Sequence, residues 1–158
     1  MKALVIYYSL SGNTRKVATA ISNGLKCELE EIKDTKKRTG LLGWLMTGRD
    51  GAKELLTKIK DVEKDLSSYD IVMIGGPIWS WNLNSPVRTF LSQYADQIKA
   101  AAFFCTEGGS GDKRAFKSME ELLGKPPIAT LVVKESEVKR DSYHEKVGAF
   151  VDRIRKSA

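Results

Sequence analysis

The sequence predicts one α/β domain in which a five-stranded parallel sheet lies between two layers of helices. Short apolar runs, which are typical of strands, alternate along the chain with segments whose apolar residues have helical spacing. The third run, residues 71–76, is continuously apolar, as expected of a central strand that helices cover on both faces. At 158 residues the chain is long enough to bury one substantial core, so we expect residues 1–158 to form a single domain.

Each predicted strand and helix follows from a local pattern of this kind. The predicted strands cover 3–8, 27–32, 71–76, 100–105 and 128–133. The predicted helices cover Asn13–Leu25, 52–66 and 86–95, then a segment with Phe116, Met119, Leu122 and Leu123, and a last segment with Val147, Phe150, Val151 and Ile154. Ser85 is expected to cap the third helix, with Pro86 at its first position. Ser142 and Glu145 have the spacing of a capping box for the last one.

Residues 33–50 form the least regular connection of the chain. Its middle carries the apolar side chains Leu41, Leu42, Trp44, Leu45 and Met46. Because loops normally lie at the surface, we expect these side chains to cover something: the edge of a cofactor, a neighbouring subunit or the domain itself. The alternative is a short helix packed on the domain, and the pattern does not distinguish the two.

Charge and cysteine content exclude several classes of protein. The formal net charge of +6 favours acidic partners, but dispersed basic residues without a recognition motif argue against nucleic-acid binding. Two cysteines, Cys27 and Cys105, provide neither a disulfide framework nor a metal cluster, so no metal site is expected. No apolar run reaches the roughly 20 residues of a membrane span, and the N-terminus lacks a signal-peptide pattern. We therefore expect a cytoplasmic protein without membrane insertion.

A hydroxyl-rich loop joins the first strand to the first helix. Its residues are Ser9, Leu10, Ser11, Gly12, Asn13 and Thr14. Hydroxyl groups, a glycine that lets the backbone approach closely, and the unpaired amides of a helix N-terminus together suit a dianionic phosphate. The spacing matches neither a P-loop nor a dinucleotide-binding turn. The alternative is an ordinary polar turn in which Ser or Asn caps the helix.

Unusual loops follow the first, third and fourth predicted strands. The second loop contains Pro77, Ile78, Trp79, Ser80, Trp81 and Asn82. The third loop runs from Thr106 through Glu107, Gly108 and Gly109 to Asp112. In a parallel sheet of order 2-1-3-4-5, the carboxyl ends of these strands meet at the edge where doubly wound sheets bind ligands. The sequence therefore predicts one site built from three remote loops.

Over essentially its full length the chain resembles the flavodoxin family. The Ser-x-Ser-Gly-x-Thr pattern of residues 9–14 is similar to that family's phosphate loop, and residues 75–79 and 86–91 resemble its Gly-x-Pro-x-Trp/Tyr segment and the helix after it. The resemblance implies a flavodoxin-like fold with FMN as cofactor. It implies that the first loop, with Leu10 counted among its cofactor-binding residues, holds the FMN phosphate. It also implies that the second loop lines the isoalloxazine and that the third closes over its pyrimidine edge.

Aromatic and acidic residues of these loops carry further expectations. Trp79 is the first candidate to stack on the flavin and Trp81 the second, because an indole offers a large flat apolar surface. Many flavodoxins place a second aromatic in the third loop, and this sequence has none there, so one ring face is either open or covered by Trp44. Glu107 and Asp112, if near the flavin, would lower its redox potential; the alternative is that they are surface carboxylates.

No catalytic side chain is expected in this chain. A phosphatase loop that begins at Cys105 would need arginine at position 111, where the sequence has Gly111. His144, the only histidine, lies at the start of the last helix and is expected to be remote from the site.

Three classes of function are compatible with the predicted fold and site. The first is an electron-transfer protein that exchanges electrons with larger redox proteins, for which the basic charge departs from the acidic surface usual in flavodoxins and favours acidic partners. The second is an FMN-dependent NAD(P)H/quinone oxidoreductase, favoured by the missing aromatic and by Trp44. The third is a non-redox module that binds another phosphate compound. The protein is expected to be a monomer or a homodimer, with residues 41–46 as the candidate dimer contact.

Overall fold

The computed structural model describes residues 1–157, which contain six strands and six α-helices. The strands are β1 (Ala3–Tyr7), β2 (Glu28–Glu31), β3 (Ile71–Trp79), β4 (Asn82–Leu83), β5 (Ala101–Glu107) and β6 (Thr130–Lys134). The helices are α1 (Asn13–Leu25), α2 (Gly40–Ala52), α3 (Ser85–Tyr94), α4 (Asp112–Leu123), α5 (Glu135–Lys139) and α6 (His144–Lys156), with short 3-10 turns at Leu66–Ser68 and Ala95–Gln97. Over these residues, none of the helices has the length and apolar character needed to cross a membrane.

The main sheet has the strand order β2-β1-β3-β5-β6, and every neighbouring pair in it is parallel. This confirms the predicted fold class and strand order. The addition is β4, which pairs antiparallel with the end of β3. Ser80 and Trp81 form the two-residue turn between them, and both have positive φ (49° and 59°), as tight hairpin turns require. At the turn positions the sequence has Ser80-Trp81 instead of the Asn-Gly or Asp-Gly pair that usually signals such a turn, so β4 was not predicted.

Each face of the sheet packs against its own layer of helices. Leu4 of β1 belongs to the core shared with α3 and α4, whereas the next residue, Val5, belongs to the core shared with α1 and α6. This alternation is the period of two that a pleated strand imposes. Most of the apolar positions predicted to face inward on the helices are buried: Val17, Ala18, Ile21, Val87, Phe90, Leu91, Met119, Leu123, Val147, Phe150, Val151 and Ile154.

The prediction of a helix over residues 52–66 is wrong. Helix α2 ends at Ala52, and Glu54, with a φ of 55°, turns the chain out of the helix. The following segment runs extended beside the residues before α2, where the amide of Thr35 donates to the carbonyl of Lys58 (2.9 Å). Hydrogen bonds between two remote segments thus replace those of a helix. Such non-local pairing overrides the helical spacing of the apolar residues.

Two predicted helix starts also differ in detail. Asn84 rather than Ser85 caps α3, because its side-chain oxygen accepts a hydrogen bond from the amide three residues later (2.9 Å). The capping box predicted at Ser142 is wrong, since α6 begins at His144 without a side-chain cap. The corresponding bond occurs at the start of α5, where the carboxylate of Glu137 accepts from the backbone amide three residues before it (2.8 Å).

Candidate functional site

A cleft of about 760 Å³ opens at the carboxyl edge of the sheet. Its volume lies within the range of about 300–1,000 Å³ that is typical of small-molecule sites. The lining residues are Leu10, Ser11, Trp44, Leu45, Thr47, Gly48, Arg49, Pro77, Ile78, Trp79, Ser80, Trp81, Gly108, Gly109, Ser110 and Glu135. The structure therefore brings the three predicted loops together and adds α2 as a further wall.

The predicted site residues divide into two groups by position. Nine line the cleft: Leu10, Ser11, Pro77, Ile78, Trp79, Ser80, Trp81, Gly108 and Gly109. The others stand in the same loops or the adjoining elements, outside the lining: Ser9, Gly12, Asn13, Thr14, Asn82, Thr106, Glu107 and Asp112. None of the predicted residues lines the smaller pocket of about 370 Å³ beside β2.

The loop between β1 and α1 is shaped for an anion. Gly12 adopts a φ of 97°, a conformation that L-residues with a Cβ rarely take. The hydroxyl of Ser9 accepts hydrogen bonds from the amides of Gly12 (3.1 Å) and Arg15 (3.2 Å), which fixes the curvature of the loop. Gly12, the N-cap residue, has no side chain and provides no cap, so apart from the Arg15 amide bonded to Ser9 the amides at the start of α1 have no side-chain partner. The helix N-terminus thus presents amide groups and its positive dipole end to the loop.

Thr14 connects this loop to the strand that carries the third one. Its hydroxyl lies 2.7 Å from the hydroxyl of Thr106, and both side chains are buried. Thr14 is in the first turn of α1, and Thr106 is near the carboxyl end of β5. One buried hydrogen bond therefore joins the first and third loops behind the cleft.

The two tryptophans of the second loop have opposite environments. Trp79 is only 6% exposed, with its ring edge-on to Tyr8 (centroids 5.6 Å apart) and under the guanidinium of Arg38 (4.6 Å). Trp81 is 68% exposed. Trp79 is thus largely occupied by protein contacts, and Trp81 presents the larger open ring surface at the cleft. Trp44 of α2 is also exposed and lines the cleft.

The Ser80–Trp81 turn is held between two other elements. The hydroxyl of Ser80 donates to the carbonyl of Gly48 in α2 (2.8 Å). On the other side, a Cβ at Gly111, just before α4, would lie 2.6 Å from the Cα of Trp81. Only glycine permits this approach, and its φ of 120° is also one that other residues avoid. The position of Trp81 therefore depends on both α2 and the loop before α4.

Helix α2 is attached to the domain by a buried ionic network that the sequence analysis missed. Arg38 donates to Asp34 (2.6 Å) and to Asp50 (2.9 Å), and all three side chains are at most 3% exposed. Arg49, which is half exposed and lines the cleft, donates to the same Asp50 carboxylate (2.7 Å). Burial alone would raise the pKa of Asp50, but hydrogen bonds from Arg49 and Arg38 outweigh it and hold that pKa below its usual value.

Small residues let α2 approach the sheet. A Cβ at Gly43 would meet the backbone of Arg38 at 2.2 Å, and a Cβ at Gly51 would meet the carbonyl oxygen of Trp79 at 2.4 Å. The predicted site residue Asn82 holds the same end of α2, since its side-chain amide donates to the carbonyl of Gly51 (3.3 Å) and to Glu54 (3.0 Å). Glycine at these positions was the one sequence signal for this packing.

The third loop is anchored by an ion pair. Glu107, whose side chain is 1% exposed, accepts from Lys134 and from the amide of Asp112 (3.1 Å). The hydrogen bond with Glu107 raises the pKa of Lys134, which also donates to the carbonyl of Gly109. The ammonium group of Lys134 thus compensates the carboxylate of Glu107, and the lowering of redox potential expected from Glu107 stays a prediction. Lys134 lies beside Glu107 only through strand register, which the sequence analysis did not resolve.

The two rejected nucleophile and acid–base candidates occupy ordinary structural positions. Cys105 is buried in β5, and burial raises the pKa of its thiol, with the carboxylate of Glu107 adding to the effect. His144 is exposed at the start of α6 and contacts the side chain of Asp141 (2.8 Å). In residues 1–157 there is no cluster of three or more His, Cys, Asp or Glu suited to a metal ion.

The geometry fits a flat, phosphorylated aromatic ligand. Loop 9–14, which leads into α1, meets the cleft through Leu10 and Ser11, and large apolar side chains, Ile78, Trp44 and Trp81, supply flat or apolar surface there. At Gly109 a Cβ would meet nothing within 4 Å, so the backbone of this loop is open to close approach. The fold and the site together define a doubly wound α/β protein with a cleft for a ligand of the FMN type.

Residues 2–153 match the family model described as Flavodoxin. The chain therefore belongs to the flavodoxin family, as the resemblance in its motifs predicted. This membership supports FMN as the predicted cofactor.

Solved structures agree with this assignment. A flavoprotein of Lactobacillus acidophilus in complex with FMN is 28% identical, with a TM-score of 0.72 over 88% of this chain and 97% of that one. A protein of Bacteroides uniformis described as a flavoprotein is 24% identical, with a TM-score of 0.75 over 96% of this chain and 97% of that one, and shows likeness of fold alone. The FMN-bound flavodoxin of Fusobacterium nucleatum is 12% identical, with a TM-score of 0.60 over 99% of both chains, and shows likeness of fold alone.

Proposed function

We propose that this protein is an electron-transfer flavodoxin that binds FMN in the cleft and exchanges single electrons with larger redox proteins. The observation that carries the proposal is the meeting, at one open cleft, of the loop that leads into α1, an apolar aromatic surface and a glycine-rich loop. The family match and the FMN complex of the Lactobacillus acidophilus flavoprotein add support for the cofactor.

The residues of the three loops would share the work of holding FMN. Loop 9–14 would bind the phosphate through the amides at the start of α1 and the hydroxyl of Ser11. Ile78 and Trp81 would lie against the ring system of FMN. Their apolar contact would contribute to affinity but would not fix one orientation of the ring. The amides of Gly108 and Gly109 would donate to the acceptors of the pyrimidine edge, which sets the orientation.

FMN supplies the redox chemistry when it is bound, and the chain supplies binding, orientation and electrostatics. In each full cycle a donor protein loses one electron and an acceptor protein gains one, so neither substrate nor proton has to be positioned for bond cleavage. The surroundings of the cleft agree with this role. Cys105 is buried and His144 lies on α6, so neither reaches the cleft lining. A carrier needs no such group, whereas a turnover enzyme often does.

A second candidate function is an FMN-dependent NAD(P)H/quinone oxidoreductase. The observation that favours it is Arg49, whose guanidinium is half exposed and lines the same cleft as Trp44. A cation in a cleft with aromatic lining suits an anionic aromatic reactant such as a nicotinamide nucleotide. We expect such an enzyme to oxidise NADH or NADPH steadily in the presence of a quinone.

The test is a titration of the purified protein with FMN, followed by anaerobic photoreduction. All three tryptophans of the chain line the cleft, so FMN binding is expected to quench most of the intrinsic fluorescence. Riboflavin, which lacks the phosphate, is the matched control ligand and is expected to bind at least about tenfold more weakly. Photoreduction is expected to proceed in two separate one-electron stages in the absorbance spectrum.

The outcomes separate the three classes of function. Failure to bind FMN at micromolar concentration contradicts both redox proposals and leaves a binding module for another phosphate compound. Equal affinity for riboflavin and FMN contradicts the role given to loop 9–14. Direct two-electron reduction by NADPH with sustained quinone turnover replaces the carrier with the oxidoreductase.

A further inference from the structure

Helix α2 has its polar and apolar faces exchanged relative to an ordinary surface helix. Its buried positions are Gly43, Thr47, Asp50 and Gly51. Its large apolar side chains are exposed: Leu41, Leu42, Trp44 and Leu45, which we call the α2 outer face. The spacing of these four residues places them on one side of the helix. Leu42 is 79% exposed, and isolated exposed leucines are common, but four large apolar side chains on one helix face mark an interaction surface.

The segment that carries this face also carries most of the net positive charge of the chain. Residues 33–60 contain eight Lys or Arg and three Asp or Glu, a net charge of +5 out of +6 for the whole chain. Two of the three acidic residues, Asp34 and Asp50, are buried against Arg38 and present no charge to a partner. Exposed lysines flank α2 on both sides, Lys37 before it and Lys53 after it. Positive charge therefore lies at both ends of the apolar face.

This charge disfavours a second copy of the chain as the occupant of the face. In a twofold dimer the same patch meets itself, so two segments of charge +5 would be brought together. Like charges at such an interface cost free energy at physiological salt, when they lie within about 8 Å of each other. A partner with acidic residues around an apolar centre would instead be attracted.

The face is continuous with the candidate flavin site. Trp44 and Leu45 belong to the α2 outer face and also line the cleft. A protein bound on this face would lie against the mouth of the cleft, where the exposed ring of Trp81 also stands. Electrons that enter or leave a ligand in the cleft would then have a short path to the partner.

We infer that the α2 outer face is the docking surface for an acidic redox protein, an inference that rests on the proposed electron-transfer function. Four apolar side chains supply the centre of the interface, and the flanking lysines supply attraction over longer distances. All four apolar side chains belong to one helix, and the buried ion pairs of Arg38 hold that helix in place.

The test is an NMR titration of isotope-labelled protein, with and without FMN, against two redox proteins of opposite charge. Plant-type ferredoxin is the acidic probe and cytochrome c is the basic one. We expect ferredoxin to shift the amide signals of Leu41 and Leu42 more strongly than those of α6, with an affinity that falls as sodium chloride is added. Cytochrome c is expected to leave these signals unchanged.

Matched variants separate charge from apolar contact. Lys37→Glu with Lys53→Glu is expected to weaken ferredoxin binding about tenfold at low salt, because both charges lie beside the face. Arg153→Glu with Lys156→Glu makes the same change of net charge in the last turn of α6 and is expected to change affinity by about twofold or less. Leu41→Ser with Leu42→Ser removes apolar contact without altering the lining of the cleft, so FMN affinity is expected to stay unchanged.

Several results would overturn the inference. Equal or tighter binding of cytochrome c, or ferredoxin shifts confined to other surfaces, excludes an acidic partner on this face. Sedimentation with phosphatidylglycerol vesicles, together with no response to ferredoxin, assigns the face to an anionic membrane surface. A concentration-dependent dimer whose contacts map to α2 assigns it to a second copy. Failure of the protein to bind FMN contradicts the proposed function. Because the titration is also made without FMN, binding of ferredoxin to the α2 outer face can still be measured in that case.

Discussion

Helices α1 and α2 are both 13 residues long, but the faces that they turn to the domain have opposite chemistry. Helix α1 buries Val17, Ala18 and Ile21 in the core that it shares with α6. Helix α2 buries two glycines, a threonine and the carboxylate of Asp50. The same length of helix is thus held by removal of apolar surface from water in one case and by a buried ionic network in the other.

The two kinds of burial predict different responses of the helices to mutation. Apolar burial has no directional requirement, so α1 tolerates small shifts and is part of the global core. A buried ion pair contributes only while both partners are charged and in place, because an unpaired buried charge is costly. We therefore expect α2 to open as a local unit, independently of α1.

The largest effect is expected from Arg38→Met, which keeps an apolar stem of similar length but removes the charge. Asp34 and Asp50 then lose their shared partner. The free energy of local opening of α2 is therefore expected to fall by about 3–5 kcal/mol. Amide hydrogen exchange should show loss of protection in α2 with α1 retained. Arg49→Met is the control: its guanidinium is 52% exposed, so we expect a loss of about 1 kcal/mol or less. Equal loss of protection in both helices would contradict a local role.

A somewhat smaller effect, on the whole domain, is expected from Ile21→Ala in α1. The side chain is fully buried, and its truncation is expected to lower the free energy of unfolding by about 3 kcal/mol. Urea denaturation measures this change, and Ile21→Val should cost only about 1 kcal/mol. The assignment of Ile21 to the global core would be contradicted if this variant lost amide-exchange protection only in α2 and kept its free energy of unfolding.

Acid is expected to loosen α2 before it affects α1. Hydrogen bonds from Arg49 and Arg38 hold the pKa of Asp50 below its value in the unfolded chain, despite the opposing effect of burial. The stabilisation is therefore present above the unfolded pKa, about 3.9, and is lost as the pH falls through the lower folded pKa. The fluorescence of Trp79, which lies under Arg38, should change in this range below about pH 4. Opening of α2 at pH 5 to 6 would contradict this assignment.

The smallest effect on stability is expected from Leu42→Ser on the outer face of α2. Because the side chain is exposed, the free energy of unfolding should change by no more than about 0.5 kcal/mol. Thermal or urea unfolding checks this, with Ile21→Ala as the buried counterpart. A loss above about 2 kcal/mol at micromolar protein would show that another surface already covers Leu42.

The contrast between the apolar buried face of α1 and the polar buried face of α2 also explains which of the two helices could be predicted from the sequence. Helix α1 was placed correctly because Val17, Ile21 and their neighbours have the period of an amphipathic helix. Helix α2 has no such stripe on its buried side, so the sequence left it as one of two alternatives. The helix predicted after it was wrong because Thr35 pairs with Lys58, a contact that no local pattern records.

The candidate site shows the same division. The three loops were found because parallel strands of predictable order bring their carboxyl ends together. The environments of Trp79 and Trp81 could not be found in this way, because they depend on the Ser80–Trp81 turn and on the packing of Arg38. The pairing of Arg38 with Asp50 joins residues twelve positions apart, without a motif that would reveal it.

The hydrogen bond between Thr14 and Thr106 has a consequence for how the two ends of a ligand are recognised. If loop 9–14 holds a phosphate as proposed, that phosphate would restrain Thr14, and through it the strand that leads into Gly108 and Gly109. Ordering one loop would then lower the entropy cost of ordering the other. If a ligand were cut into its phosphate and its ring, the two halves would bind as positively cooperative fragments, with inorganic phosphate raising the affinity for riboflavin.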